Sequence, residues 1–173
     1  FLELLGRSSF TGVAREMFLY RDTIVAITQL QKNNVPQDIW HHESSSQNYW
    51  SEQPDAGYTR ISILDVSEKS NPVTVREITY AGNYQTSRLV NSGLRIVLAS
   101  PLPTLFTDID IYSNSEDEAE ELLQRNAALI EQVEFGDILP KKIDQVIGAE
   151  EAEAEVATRC TDMYAPTTPS GIA

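Results

Sequence analysis

The sequence is poor in cysteine and in positive charge. It holds one cysteine among 173 residues, Cys160, which cannot form a disulfide within the chain and is too few for a structural zinc cluster. Only 13 lysines and arginines stand against 26 aspartates and glutamates, so the formal net charge is -13. Such a surface repels polyanions, and we therefore expect binding neither to nucleic acid nor to anionic membranes.

Long apolar runs are missing as well. The densest, residues 24–27 and 96–99, fall far short of the roughly 18 residues that a membrane-spanning helix needs. We expect no transmembrane helix. The hydrophobic content of 41% is nevertheless sufficient for one packed domain.

Catalytic motifs are a third absence. The sequence has no Gly-x-Ser-x-Gly nucleophile elbow and no glycine-rich phosphate loop. We therefore assign no catalytic residue, no cofactor and no metal site.

Two similar stretches indicate an internal repeat. Residues 15–28 contain two β-prone runs separated by a polar pair, which predicts a strand, a turn and a strand. Residues 87–100 show the same pattern 72 positions later, with Asn91-Ser92-Gly93 as the turn. Upstream, residues 7–12 and 77–82 match with a two-residue slip, and both close on glycine.

Two further strands are predicted between the copies, at residues 58–67 and 73–80. Asp65 is expected to cap the turn that joins them by accepting bonds from backbone amides. One unit is thus four antiparallel strands, and we expect all the strands to follow the chain in one meander. Residues 31–57 form a polar insertion between the second and third strands.

A helix is predicted across residues 116–134. Ser115 followed by Glu118 forms a capping box, and apolar residues then recur at helical spacing. The apolar stripe is expected to dock on the flank or rim of the sheets. Residues 150–155 are mostly glutamate and are expected to be solvated, and partly helical or mobile.

These stretches together resemble a known family. The segment Ile-Ser-Ile-Leu-Asp-Val-Ser at residues 61–67, with Asn71-Pro72 and residues 87–97, is similar to the blades of bacterial and archaeal secreted proteins with a C-terminal β-propeller domain. Residues 137–140 and 160–166 are similar to that family's helical insertion and its return to the sheet. The resemblance implies a mainly β fold of antiparallel four-stranded propeller blades with a helical insertion, an extracytoplasmic location and no catalytic residues.

The resemblance also implies a division of the chain. Residues 1–12 would end a preceding blade, and residues 13–82 would make a complete blade that contains the insertion 31–57. Residues 83–173 would start the next blade, with a helical insertion at 101–158. We expect the remaining blades to come from elsewhere in the same polypeptide or from another chain, because a blade buries its faces against its neighbours.

Three aromatic residues are the candidate binding site. Trp40, Tyr49 and Trp50 lie in an insertion otherwise too polar for a core, and both tryptophans of the protein are among them. Aromatic residues on loops are common recognition anchors. The alternative is that they fix the loop to the face of the sheet.

Other polar residues are weaker candidates. His41 and His42 have no third ligand at a recognisable spacing, so we interpret them as exposed loop residues. Asp108 and Asp110 offer oxygen ligands of the kind that calcium takes, but their alternation with isoleucine also fits a half-exposed strand. Cys160 is either a buried thiol or half of a disulfide with a partner outside this sequence.

The function expected from these features is that of a non-enzymatic, extracytoplasmic binding or scaffolding propeller. Its insertion loops would be presented to a protein or glycan partner. One alternative is a hydrolase or metal-dependent enzyme with its site in the central channel of the propeller. Another is a structural subunit of a cell-surface assembly.

Overall fold

A computed structural model describes most of the chain, namely residues 3–31, 34–35, 57–100, 115–132, 134, 136 and 139–162. No helix in these ranges is both long and apolar enough to cross a membrane.

Four strands form an antiparallel meander that begins at one edge of the first sheet. They are β1 (Val13–Tyr20), β2 (Thr23–Leu30), β3 (Tyr58–Asp65) and β4 (Val73–Ala81), and each pairs with the next along the chain. The β structure predicted at residues 15–28 and 58–80 is confirmed.

The next two strands form a separate hairpin. β5 (Asn83–Val90) pairs with β6 (Gly93–Ala99) in a second, two-stranded sheet. The β structure predicted at residues 87–100 is confirmed, but the expectation of one continuous meander is wrong. Gly82 is the physical reason, since its φ of +147° turns the chain out of the first sheet.

The first sheet is extended at its outer edge by strands from much later in the chain. β7 (Lys141–Val146) pairs with β4, and β8 (Glu155–Val156) pairs with β7, giving the order β1-β2-β3-β4-β7-β8. Both strands fall within residues 101–158, where only a helical insertion was expected. The sheet therefore has six strands rather than four.

The internal repeat has a spacing of 70 residues. Two-residue turns join β1 to β2 and β5 to β6, and their first residues, Arg21 and Asn91, both have positive φ, at 54° and 57°. Gly12 and Gly82 precede the two hairpins, and β1 and β5 each shift register after their second residue. The spacing of 72 with a slip was wrong because Gly93 is the first residue of β6 and not part of the turn.

One face of the first sheet carries an apolar cluster. Its buried members come from β2, β3, β4, β7 and the short segment after β2: Leu30, Val35, Tyr58, Ala81 and Ile143. Ala152 and Ala154 pack against this cluster.

The acidic stretch at residues 150–155 is therefore ordered against the sheet. Its alanines are half-buried while Glu151, Glu153 and Glu155 are exposed, an alternation typical of an extended chain. The expectation that this stretch is solvated is confirmed for its glutamates, whereas the expectation of partial helix is wrong, because the segment is extended and leads into β8. The high glutamate content concealed this two-residue alternation.

One helix, α1 (Glu116–Gln132), begins where the capping box predicted. The Glu118 N–H donates to Ser115 Oγ at 3.2 Å, so the cap is confirmed. The helix ends two residues before the predicted limit of 134 and has no buried residue. Leu123 and Ile130 are 71% and 53% exposed, so the predicted stripe is not covered at these positions.

The turn after β3 is capped as expected. Asp65 Oδ1 accepts a hydrogen bond from the Ser67 N–H at 2.8 Å. This backbone bond lowers the pKa of the Asp65 carboxyl.

Candidate functional site

A polar groove of about 460 Å³ lies over the outer half of the first sheet. Its lining comes from β3, β4, β7 and the segment before β8: Arg60, Glu77, Thr79, Ile143, Gln145, Glu151, Ala152 and Glu153.

Strand register places the floor of the groove on one face. Arg60 of β3 is opposite Thr79 of β4, which is opposite Ile143 of β7. The neighbouring row places Glu77 opposite Gln145. Directly opposed residues of antiparallel strands share a face, so both rows lie under the groove.

The charged pair in the floor is held by several contacts. Arg60 Nη1 lies 3.5 Å from Glu77 Oε2, and Arg60 Nε donates to Thr79 Oγ1 at 3.3 Å. The hydroxyl of Ser62, which is nearly fully buried, donates to Glu77 Oε1 at 3.1 Å. The two oxygens of Glu77 are thus engaged by different partners, which fixes the carboxylate.

The far wall is tied to the floor by one glutamine. Gln145 Nε2 donates to the Glu150 carbonyl at 3.1 Å, and the Ala152 N–H donates to Gln145 Oε1 at 2.8 Å. The side chain therefore uses both of its polar ends to hold the segment before β8 in place.

Two glutamates of that segment remain without a partner. Glu151 and Glu153 are exposed, and neither has a hydrogen bond or ion pair with any residue that the structure describes. Because Glu77 already neutralises Arg60, these two carboxylates set the charge of the groove.

Ion pairs on the opposite face attach β7 to the sheet. Arg76 of β4 donates to both oxygens of Asp144, with the Nε bond at 2.7 Å. The bond from Arg76 lowers the pKa of the Asp144 carboxyl. Lys142 Nζ lies 3.0 Å from Glu155 Oε1, and this contact raises the pKa of Lys142.

The arrangement offers fixed hydrogen-bonding groups and negative charge to a ligand. The groove lining contains neither cysteine nor histidine. Among the residues that the structure describes, no three or more His, Cys, Asp or Glu side chains come together as a metal site. The described lining of the groove combines charged and hydrogen-bonding side chains with Ile143 and Ala152.

Most of the residues singled out from the sequence are not among the described residues. Those outside the described residues are Trp40, His41, His42, Tyr49, Trp50, Asp108 and Asp110. Cys160 begins a short 3-10 helix, Cys160–Asp162. Sequence reasoning missed the groove, although the alternation of polar residues in β3 and of alanine in residues 150–155 were signals for parts of it.

Comparison with protein families gives a match over residues 2–172 to the family described as "Beta propeller domain". The chain belongs to the β-propeller domain family. Its antiparallel sheets and the helix α1 agree with the expected fold class of propeller blades with a helical insertion. No curated protein and no solved structure matches the chain significantly.

Within this β-propeller chain, the two repeat copies lie against each other. β5 of the second sheet approaches β1 and β3 of the first. Ser87 donates to Glu16, and the Thr59 hydroxyl donates to the Gly82 carbonyl at 2.8 Å. The groove is formed by β3, β4 and β7, so β3 takes part both in the groove and in the contact with the second sheet.

Proposed function

We propose that this β-propeller chain is a non-enzymatic binding or scaffolding module that works outside the cytoplasm. It presents the groove and its insertion loops to a protein or glycan partner. The observation that carries the proposal is the preorganised polar groove, in which Arg60, Glu77 and Gln145 are each held by neighbouring groups.

Preorganisation is what a binding site gains most from. Side chains already fixed before binding lose little conformational entropy when a ligand arrives. The groove volume of about 460 Å³ falls in the range of known ligand pockets, which is roughly 300–1,000 Å³. Its charged and amide side chains favour a ligand that carries hydrogen-bonding groups.

The aromatic residues of the insertion supply a second contact in this proposal. Trp40, Tyr49 and Trp50 combine apolar area with polar edges, as recognition anchors commonly do. Glycans and proteins are both bound by such residues.

A defined binding screen tests the function. The full chain is immobilised and exposed to a glycan panel and a peptide library, alongside a variant carrying Trp40→Ala, Tyr49→Ala and Trp50→Ala. A second variant with Trp40→Phe, Tyr49→Phe and Trp50→Phe keeps the rings and serves as the control. We expect one ligand class to bind the wild type and the phenylalanine variant, and to bind the alanine variant at least about tenfold less tightly.

Failure of a folded wild-type chain to bind either panel would overturn the binding function. The proposed location is tested separately, by surface labelling of intact source cells with a membrane-impermeant biotin reagent. Labelling at the level of a known surface protein supports an extracytoplasmic site of action, and protection until the cells are lysed overturns it.

A further inference from the structure

We propose that the outer face of the β5–β6 hairpin is an interface for a partner β-sheet that presents carboxylates. Arg88 and Arg95 are the residues that hold these carboxylates. The surface lies on the second sheet, so this inference goes beyond the groove of the first sheet.

The second sheet has one covered and one open face. The even-numbered residues of β6 are half-buried, whereas Arg95 and Val97 are exposed. Ser87 of β5 belongs to the half-buried face, and its hydroxyl donates to Glu16 of the first sheet. The opposite face therefore points away from the first sheet. This open face consists of Thr86, Arg88, Val90, Arg95 and Val97.

The internal repeat indicates what kind of surface covers such a face. A shift by the repeat spacing of 70 residues makes Phe18 the equivalent of Arg88 and Val25 the equivalent of Arg95, and each pair is directly opposed across its hairpin. Phe18 and Val25 share a face with Glu16, which accepts a hydrogen bond from the second sheet. In the first copy this face is thus the one against which another sheet lies. The open face of the second copy is the equivalent surface, and it suits a further sheet.

The charges of the open face require an acidic partner. Arg88 and Arg95 are directly opposite each other, and neither has a hydrogen bond or ion pair with any residue that the structure describes. Like charges in direct cross-strand positions repel each other. Residues 78–107 contain no aspartate or glutamate, so no neighbouring stretch of sequence supplies a counter-charge. A carboxylate beside the two guanidinium groups relieves the repulsion and accepts bidentate hydrogen bonds.

Apolar side chains beside the arginines supply contact area. Val90 and Val97 of the open face are 38% and 54% exposed. The hairpin register places the arginine pair between them along the strands. Arginine surrounded by contacts that exclude water is frequent among the residues that dominate protein interfaces. A free carboxylate ion would make no use of the valines.

A second copy of this chain does not fit the open face. Residues 84, 87 and 89 of β5 lie on the face that meets the first sheet. Their equivalents in β1, at the spacing of 70, are Ala14, Met17 and Leu19. A second copy packed in the same way would place these uncharged residues over the arginines. The partner is therefore a different sheet, with aspartate or glutamate at the corresponding positions.

The test measures binding of three fluorescent, disulfide-closed hairpin peptides to the full chain by fluorescence anisotropy. Physiological salt is used because it screens repulsion by the net charge of -13. One face of each peptide presents leucines around two directly opposed residues, which are glutamates, glutamines or lysines. The variant is Arg88→Gln with Arg95→Gln, and the matched control is Arg125→Gln with Arg159→Gln, which removes the same charge from exposed positions elsewhere. Citrate and an oligogalacturonate are competitors that carry carboxylates without a β-sheet.

We expect the glutamate hairpin to bind the wild type and the control alike, and to bind the variant at least about tenfold more weakly. The glutamine and lysine hairpins should bind the wild type more weakly by a similar factor. General attraction to an acidic chain would favour the lysine hairpin, so preference for lysine would overturn the proposal. Equal loss of binding in the variant and the control would also overturn it, as would full competition by either competitor at matched carboxylate concentration.

Light scattering of the wild type and the variant tests the second copy as occupant. Equal oligomeric states support a different partner, whereas dissociation of a wild-type oligomer in the variant alone would overturn the proposal. Circular dichroism establishes that the variant is folded, since both substituted side chains are exposed. A chain that binds a ligand of the glycan or peptide panels but not the glutamate hairpin keeps the binding function and loses this interface.

Discussion

Gln29 Nε2 donates a hydrogen bond to Asn83 Oδ1 at 3.2 Å, which joins the end of β2 to the first residue of β5. The same nitrogen donates to the Tyr58 carbonyl at 3.0 Å, and Gln29 Oε1 accepts from the Tyr84 N–H at 3.0 Å. One side chain thus links the two sheets of the repeat. Its pairing partners lie 29 to 55 residues away, so the link is made only in the folded chain.

Removal of this link should weaken the contact between the sheets. We expect Gln29→Ala to lower the free energy of unfolding by about 1–3 kcal/mol, because partly buried donors and acceptors lose their partners. Urea unfolding followed by circular dichroism measures the effect. Gln85→Ala, at an exposed position, is the matched control and should change stability by less than about 0.5 kcal/mol. Equal effects of the two substitutions would contradict the role of Gln29.

The Ser115 cap should contribute measurably to the stability of α1. We expect Ser115→Ala to destabilise the helix by about 1 kcal/mol, since the Glu118 N–H loses its acceptor. Ser115→Asp retains an acceptor and should behave like the wild type. The loss is measured as helical signal against temperature, and an unchanged profile for the alanine variant would show that the cap adds nothing.

The attachment of β7 should depend on pH. The bond from Arg76 lowers the folded-state pKa of Asp144, so the ion pair stabilises the fold above the ordinary aspartate pKa of about 4 and is lost as pH falls through the lowered value. We expect Asp144→Asn to be less stable than the wild type at pH 7, with the difference shrinking steadily as pH falls below about 4. Thermal unfolding of the wild type and the variant between pH 7 and acidic pH measures this difference in stability. A difference that stays constant with pH would exclude the ion pair as its source.

The glycine that precedes the first hairpin should resist substitution. Gly12 has a φ of +98°, and a Cβ there would lie 2.5 Å from the Gln29 carbonyl oxygen. We expect Gly12→Ala to cost about 1–3 kcal/mol from the backbone conformation, with a further cost from the close contact. Gly93→Ala is the control, because a Cβ at Gly93 meets only one atom, at 3.6 Å. Comparable melting temperatures for the two variants would contradict this account.

The chain expressed alone is expected not to form an independently stable monomer. In the part of the chain that the structure describes, β1 is an open edge of the first sheet, and its Met17 and Leu19 are 67% and 64% exposed. Apolar edge strands promote association with other chains. Light scattering after size exclusion and thermal unfolding test this expectation. A soluble monomer with one sharp cooperative transition would contradict it.

The turns, strands and helix cap could be predicted from the sequence because each depends on residues close together in the chain. The hairpin turns, the strands of the meander and the Ser115 cap all depend on neighbouring residues, and each was predicted close to its observed place. The repeat spacing was predicted less well. Matching apolar residue types aligned Ile24 with Ile96, whereas superposing the two hairpins by their turns makes Leu94 the equivalent of Ile24. Residue type alone cannot separate two registers that differ by one pleat of a strand.

The groove could not be predicted from the sequence, for a different reason. Its floor joins β3 and β4 to β7, and the Arg76 and Asp144 that attach this strand are 68 residues apart. Nothing in residues 141–146 favours β4 over any other open edge as a partner. Such a pairing is set by tertiary contacts, so β propensity does not reveal it.

Late recruitment of β7 has a consequence for biosynthesis. The ladder between β4 and β7 encloses the second sheet and α1 in a long loop, whereas β1 to β4 are complete once the ribosome has passed Ala81. Long-range pairing slows folding because the entropy of loop closure opposes it. During translation the edge of β4 thus stays open until residues 141–146 have emerged, and this interval is when a chaperone would protect the nascent chain from aggregation.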